Sequence, residues 1–149
     1  MVREPQGTHM ILVDISELYL VGAIERGVPN KERIVLRVAE AVNLGQFGVL
    51  LGVRVAPGLA VPIKDNFFWF GDGMVAQGDW LFIYTGLGKP QVANVPNSPE
   101  RIFTLYWGRK QVILQNENIV PILVRLDAAV VEQTNLKVPE HAHGANPAY

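Results

Sequence analysis

Residues 33–38 read Arg-Ile-Val-Leu-Arg-Val, and residues 80–84 read Trp-Leu-Phe-Ile-Tyr. In the first stretch Ile34, Leu36 and Val38 alternate with Arg33, Val35 and Arg37. Successive side chains of a strand point to opposite faces, so this is a half-buried strand. The second stretch is apolar on both faces and belongs at the centre, under a second sheet and a covering loop or at a subunit contact. Similar runs lie at Leu18–Ile24, Phe47–Val55, Phe67–Phe70, Arg101–Trp107, Gln111–Leu114 and Val120–Val131. Valine and isoleucine make up 30 of the 149 residues, with 14 Gly and 10 Pro at intervals between the runs. Short β-branched runs punctuated by turn formers define the all-β class. About eight short strands is near the count of an immunoglobulin-like β-sandwich.

The separators have the chemistry of turns. Gly27-Val28-Pro29-Asn30, Ala56-Pro57-Gly58, Gly71-Asp72-Gly73, Gln77-Gly78-Asp79 and Asn116-Glu117-Asn118 supply positive or fixed φ. In the last run Ile122, Val124, Leu126, Ala128 and Val130 share a face opposite Arg125 and Asp127, so one side faces solvent or a partner. Ile11–Ile24 fits a helix turn followed by a strand. Apolar periodicity stops at Gln133. The chain therefore divides into an N-terminal tail or cloning remnant (1–10), a single sandwich domain (11–132) and a C-terminal tail (133–149), both tails being flexible.

Composition limits the function. One domain is the expectation at this length. Thirteen basic against fourteen acidic side chains leave a net charge of -1, without the excess that phosphate neutralisation requires, so nucleic acid is disfavoured as a partner. The absence of cysteine excludes disulfide frameworks and thiolate chemistry and fits a cytoplasmic location. The longest nearly continuous apolar stretch, Phe47–Val53, falls far short of the ~20 residues of a membrane span, and residues 1–10 lack a signal-peptide core.

All three histidines, His9, His141 and His143, lie in the tails, which leaves the body without a Ser-His-Asp relay or a zinc ligand set. The tail pair His141 and His143 reads as exposed rather than as a metal site. Ser16 and Ser98 are the only serines, and neither sits in a Gly-x-Ser-x-Gly elbow. Asp65, Asp72 and Asp79 recur every seven residues and offer acid–base or cation chemistry, although Asp72 and Asp79 stand where turns favour Asp. Catalytic, cofactor and metal residues are accordingly not assigned. Phe67-Phe68-Trp69-Phe70 and Tyr106-Trp107 are dense aromatic runs, part of which must face outward. With the polar groups beside them they nominate Lys64, Trp69, Asp72, Arg109 and Lys110 as partner- or ligand-binding residues.

Three segments resemble lamin-tail domains. Val75-Ala76-Gln77-Gly78-Asp79-Trp80-Leu81-Phe82-Ile83-Tyr84-Thr85-Gly86-Leu87-Gly88 is similar to the turn glycine, acidic residue, apolar strand and Y-T-G-x-G segment of that family. Thr104-Leu105-Tyr106-Trp107-Gly108-Arg109 followed by Val112-Ile113-Leu114-Gln115-Asn116 resembles its L-Y-W-G-R … V-W-x-N hairpin. Arg33–Val38 followed by Val42-Asn43-Leu44-Gly45-Gln46-Phe47 is similar to its opening strand and V-x-L-x-G-W turn, with Gln46-Phe47 in place of Gly-Trp. The order is preserved over about residues 31–131. Departures occur at Glu117–Pro121, where the family has a Gly-Asp-rich turn, and at Asn94–Pro99, a longer loop. The resemblance implies an immunoglobulin-like sandwich serving as a non-catalytic module for protein, nucleic-acid or surface association, and it carries over no catalytic residue.

The expected function is a non-enzymatic binding or assembly module that takes a protein partner or copies of itself. The alternatives are a small-molecule or anion-binding protein using Lys64, Asp72 and Arg109 with the aromatic run, and a cation-assisted hydrolase built on the three aspartates.

Overall fold

The computed structural model describes residues 14–133 and 137–140. The proposed tail 1–10, residues 11–13 of the ambiguous first segment and the three histidines lie outside the described residues. Among the described residues ten strands follow one another: β1 (Leu18–Ile24), β2 (Arg33–Val38), β3 (Val42–Asn43), β4 (Phe47–Ala56), β5 (Leu59–Trp69), β6 (Met74–Val75), β7 (Trp80–Tyr84), β8 (Gln91–Asn94), β9 (Arg101–Tyr106) and β10 (Ile119–Arg125). The described residues contain one short 3₁₀ turn, Leu44–Gln46, and no helix able to cross a membrane.

The all-β reading holds. A five-stranded sheet runs β1-β2-β7-β9-β8, a three-stranded sheet runs β10-β4-β5, and β3 pairs with β6. The strands pair antiparallel except β7 and β9, which are parallel, unlike the antiparallel sheets of the immunoglobulin constant-type sandwich. Leu18, Ile34, Leu36, Val38, Leu81 and Ile83 of the larger sheet pack against Phe47, Val49 and Leu51 of the smaller one to form one core. The alternation in Arg33–Val38 thus does what it predicted for Ile34, Leu36 and Val38, and β7 is central. Its outer side, Trp80, Phe82 and Tyr84, is only half-buried, under side chains of its own sheet rather than a covering loop.

Several boundaries differ from the sequence reading, for physical reasons. Gln111–Leu114 is not a strand. Two of its amides, Ile113 and Leu114, donate to the Glu32 carboxylate (2.8 and 3.0 Å) instead of to a neighbouring strand. The run Val120–Val131 stops being a strand at Arg125, because its partner β4 begins at Phe47, opposite Arg125. Phe67–Trp69 is the end of a longer strand, β5, and Phe70 follows it. Ile63–Asn66 form a wide bulge in it opposite Leu51, with Asp65 at φ 63. The short strands β3, β6 and β8 were not anticipated. β8 is exposed at all four residues and carries no buried face to read.

Candidate functional site

The five nominated residues fall into two places. Trp69 ends β5 and is 51% exposed, and its Nε1 donates to Gly45 O at 2.8 Å. Asp72, exposed in the Gly71–Gly73 turn, accepts from Asn43 Nδ2 at 2.8 Å. Asn43 also caps the 3₁₀ turn through Gly45 N, so Trp69 and Asp72 brace one corner around residues 43–45. Arg109 sits elsewhere. Its guanidinium lies 5.2 Å from the Trp107 ring centroid and donates to Asn66 Oδ1 in the β5 bulge. Trp107 in turn stacks on Phe68 at 5.4 Å. Lys64 is exposed on that bulge, where its carbonyl accepts from Asn66 Nδ2. Phe68 and Trp69 are successive strand residues and point to opposite faces, which is why Trp69 and Arg109 do not meet.

Arg109 and Lys110 line an open groove of about 550 Å³ with Asn30, Thr85, Gly86 and Gln115. Among the described residues no carboxylate lines it. Asn30, at φ 65, Gly86 and Leu87 also line a second hollow of about 350 Å³ with Tyr84 and Tyr106.

The three aspartates have diverged. Asp65 is exposed in the bulge and Asp72 is bonded to Asn43. Asp79 is buried, accepting from Ala76 N (2.8 Å), Arg101 N (3.2 Å) and Arg101 Nη2 (2.7 Å). Burial pushes its carboxyl pKa up, but the Arg101 guanidinium and the two amides outweigh that and hold it below the ordinary carboxylate value. Among the described residues no three His, Cys, Asp or Glu side chains gather into a possible cation site.

Two features escaped the sequence reading. The first is Glu32, buried although it precedes a strand in a Lys-Glu-Arg run. Its carboxylate takes Gly27 N at 2.8 Å, Thr85 Oγ1 at 2.6 Å, and the two amides of Ile113 and Leu114. Nothing in residues 31–33 signals this, since the donors come from far along the chain. The second is the outer face of the five-stranded sheet. Pairing places Arg33 opposite Tyr84, Val35 opposite Phe82 and Arg37 opposite Trp80, while Tyr84 lies beside Tyr106. The Arg37 guanidinium stands 4.2 Å from the Trp80 centroid, and that of Arg33 lies 5.5 Å from Tyr84 and 5.7 Å from Phe82. Tyr84 and Tyr106 stack at 5.5 Å. Glu100 closes one end, accepting from Arg37 at 2.7 Å and from Trp80 Nε1 at 3.0 Å. Tyr19, 65% exposed, stands opposite Arg37 on the other side. The signal was present as the two-sided apolar strand 80–84 beside the alternating arginines of 33–37, a pairing that the sequence does not print.

Comparison with family models, curated proteins and solved structures returned no match.

Proposed function

We propose that the protein is a non-enzymatic association module of lamin-tail type, which binds a protein partner or a second copy of itself through the outer face of its five-stranded sheet. The observation that carries this is the layer of Trp80, Phe82, Tyr84 and Tyr106 interleaved with Arg33 and Arg37. Trp, Tyr and Arg are the residues that dominate binding energy where proteins meet. Guanidinium groups already stacked on rings are also ordered before a partner arrives, so less side-chain entropy is lost on binding. The net charge of -1 and the acidic cap Glu100 favour a protein over a nucleic acid.

The test is native mass spectrometry and sedimentation velocity of protein purified gently from its own host, beside the double variant Arg37→Glu, Tyr84→Ala. The expected result is a complex with itself or with a second protein, weakened more than tenfold in the variant while the melting profile stays cooperative. An unchanged complex in the variant overturns this face as the binding surface. A second reading, binding of a small anion, is supported by the carboxylate-free groove of Arg109 and Lys110. A ligand at 100 times its Kd adds about 2.7 kcal/mol of stability, so a melt against inorganic phosphate and small carboxylates reads it directly.

A further inference from the structure

We propose that copies of this chain join head to tail, the segment 126–133 of one copy lying against the β4–β5 hairpin of the next. The inference goes beyond the outer-face reading above and does not depend on it, since it uses different surfaces. The hairpin outruns the sandwich. β10 begins opposite Val53, so beyond Arg54 only two strands continue to the Pro57-Gly58 turn. A two-stranded ribbon alone is marginal in water, yet this one exposes Val55 (62%), Leu59 (56%) and Val61 (56%). At the other end of the same sheet, β10 finishes opposite Phe47, and one further bond, Leu126 N to Gln46 O at 2.7 Å, ends the pairing. The strand pattern does not end there. Leu126, Ala128 and Val130 continue the face of Ile122 and Val124, with Val130 92% and Val131 78% exposed.

Charge selects the pairing. Residues 126–133, Leu-Asp-Ala-Ala-Val-Val-Glu-Gln, carry two carboxylates and no cation. Residues 53–64 of the hairpin carry Arg54 and Lys64 and no carboxylate, Asp65 following only at the bulge. Geometry makes the occupant a second copy. To reach its own hairpin tip the segment would turn back at Arg125 and cover roughly 30 Å, about its whole length at full stretch, leaving nothing to lie along the ribbon. β5 is an edge strand, open to an added strand at Leu59–Val61. Pro62 has no amide hydrogen and limits the addition there. Donor and acceptor lie at opposite ends of one molecule, so the contact is heterologous and propagates into a ring or a filament rather than closing as a two-fold dimer.

Full-length wild type, Val130→Asp, Leu59→Asp and an equimolar mixture of the two variants are compared by sedimentation velocity and native mass spectrometry from micromolar to near-millimolar concentration. Both substitutions fall at exposed positions, and thermal melts confirm that each variant is folded. The expected result is wild type larger than a dimer, each variant monomeric, and the mixture stopping at a dimer, since only one junction remains competent. Reversing charge with Arg54→Glu and Lys64→Glu lowers association at least tenfold, and adding Asp127→Lys and Glu132→Lys to the same chain restores it. Wild type that is monomeric throughout overturns the proposal, as does an assembly that survives both single variants. If such an assembly is lost in Arg37→Glu, Tyr84→Ala, the outer-face reading stands while the head-to-tail contact falls.

Discussion

Replacing Glu32 by alanine removes the shared acceptor of three backbone amides and one hydroxyl, those of Gly27, Ile113, Leu114 and Thr85. The Thr85 hydroxyl can rotate to another acceptor, but an amide cannot. Each amide left unsatisfied out of water costs about 1–3 kcal/mol. Leu114 N is fully buried and bears the most, whereas the other two are partly buried and recover some hydration. The sum is about 3–5 kcal/mol, a large part of the ~5–15 kcal/mol that holds a domain together. At ~2–4 °C per kcal/mol for a chain of this size, the melting temperature falls by roughly 6–20 °C. Glu32→Gln keeps the shape and one carbonyl oxygen but turns an NH2 group toward donors, and is expected to lose about 2–3 kcal/mol. Urea unfolding followed by tryptophan fluorescence measures both, with an unchanged denaturant slope showing that the native state is the one affected. Glu25→Gln is the control. Its ion pair with Arg33 is exposed and worth at most about 1 kcal/mol. A loss below about 1 kcal/mol in Glu32→Ala would show instead that water or another group satisfies these amides.

Asp79 carries a pH dependence whose sign is fixed by its lowered pKa. The carboxylate adds stability above the ordinary carboxylate value near 3.9, and that stability drains away as pH falls through the lower folded value. Asp79→Asn therefore destabilises at neutral pH, and the gap between variant and wild type narrows in melts taken from pH 6 to about pH 3. At Gly48 an added Cβ would meet Phe67 Cζ at 2.5 Å and Phe68 O at 2.7 Å, whereas at Gly73 it would meet nothing. Gly48→Ala should cost about 1–3 kcal/mol and Gly73→Ala less than about 0.5 kcal/mol, compared in one thermal series. Arg26 Nη1 donates to the carbonyls of Leu114 (3.1 Å), Asn116 (3.3 Å) and Ile119 (2.8 Å). Arg26→Met should release the 114–119 turn, raising hydrogen exchange at the Ile119 amide by about tenfold or more, as loss of a charge-assisted bond predicts.

Strands whose buried face is printed locally were legible. Leu18–Ile24 and Arg33–Val38 match the observed β1 and β2 at both ends, because alternation within six or seven residues fixes them. Four of the five glycine, proline and asparagine separators contain turns, and Gly71-Asp72-Gly73 is a bend between β5 and β6. What failed depends on partners distant in sequence. Gln111–Leu114 has strand composition, but Glu32 takes its amides. Val120–Val131 has strand periodicity over its whole length, but the partner runs out at Phe47. The candidate site suffered in the same way. Trp69 and Asp72 meet at the corner around residues 43–45 while Arg109 lies apart from them, since strand parity sends Phe68 toward Trp107 and Trp69 away from it. The arginine and aromatic layer needed the β2–β7 and β7–β9 registers before its members could be seen as neighbours. Glu32 and Asp79 look like ordinary turn-flanking acids until their donors are known.

Those two carboxylates stand one residue ahead of β2 and β7, and because these strands are antiparallel they close opposite ends of the pair. They do so across very different lengths of chain. Asp79 reaches Arg101 over 22 residues, while Glu32 reaches Leu114 over 82. Closing the longer loop costs about 1 kcal/mol more in chain entropy, and contacts of long sequence separation form late. On loop-closure entropy alone, the expected order is the Asp79 end first and the long-range bonds of Glu32 last. Loss of the late latch should appear mainly as faster unfolding, and loss of the early one as slower folding.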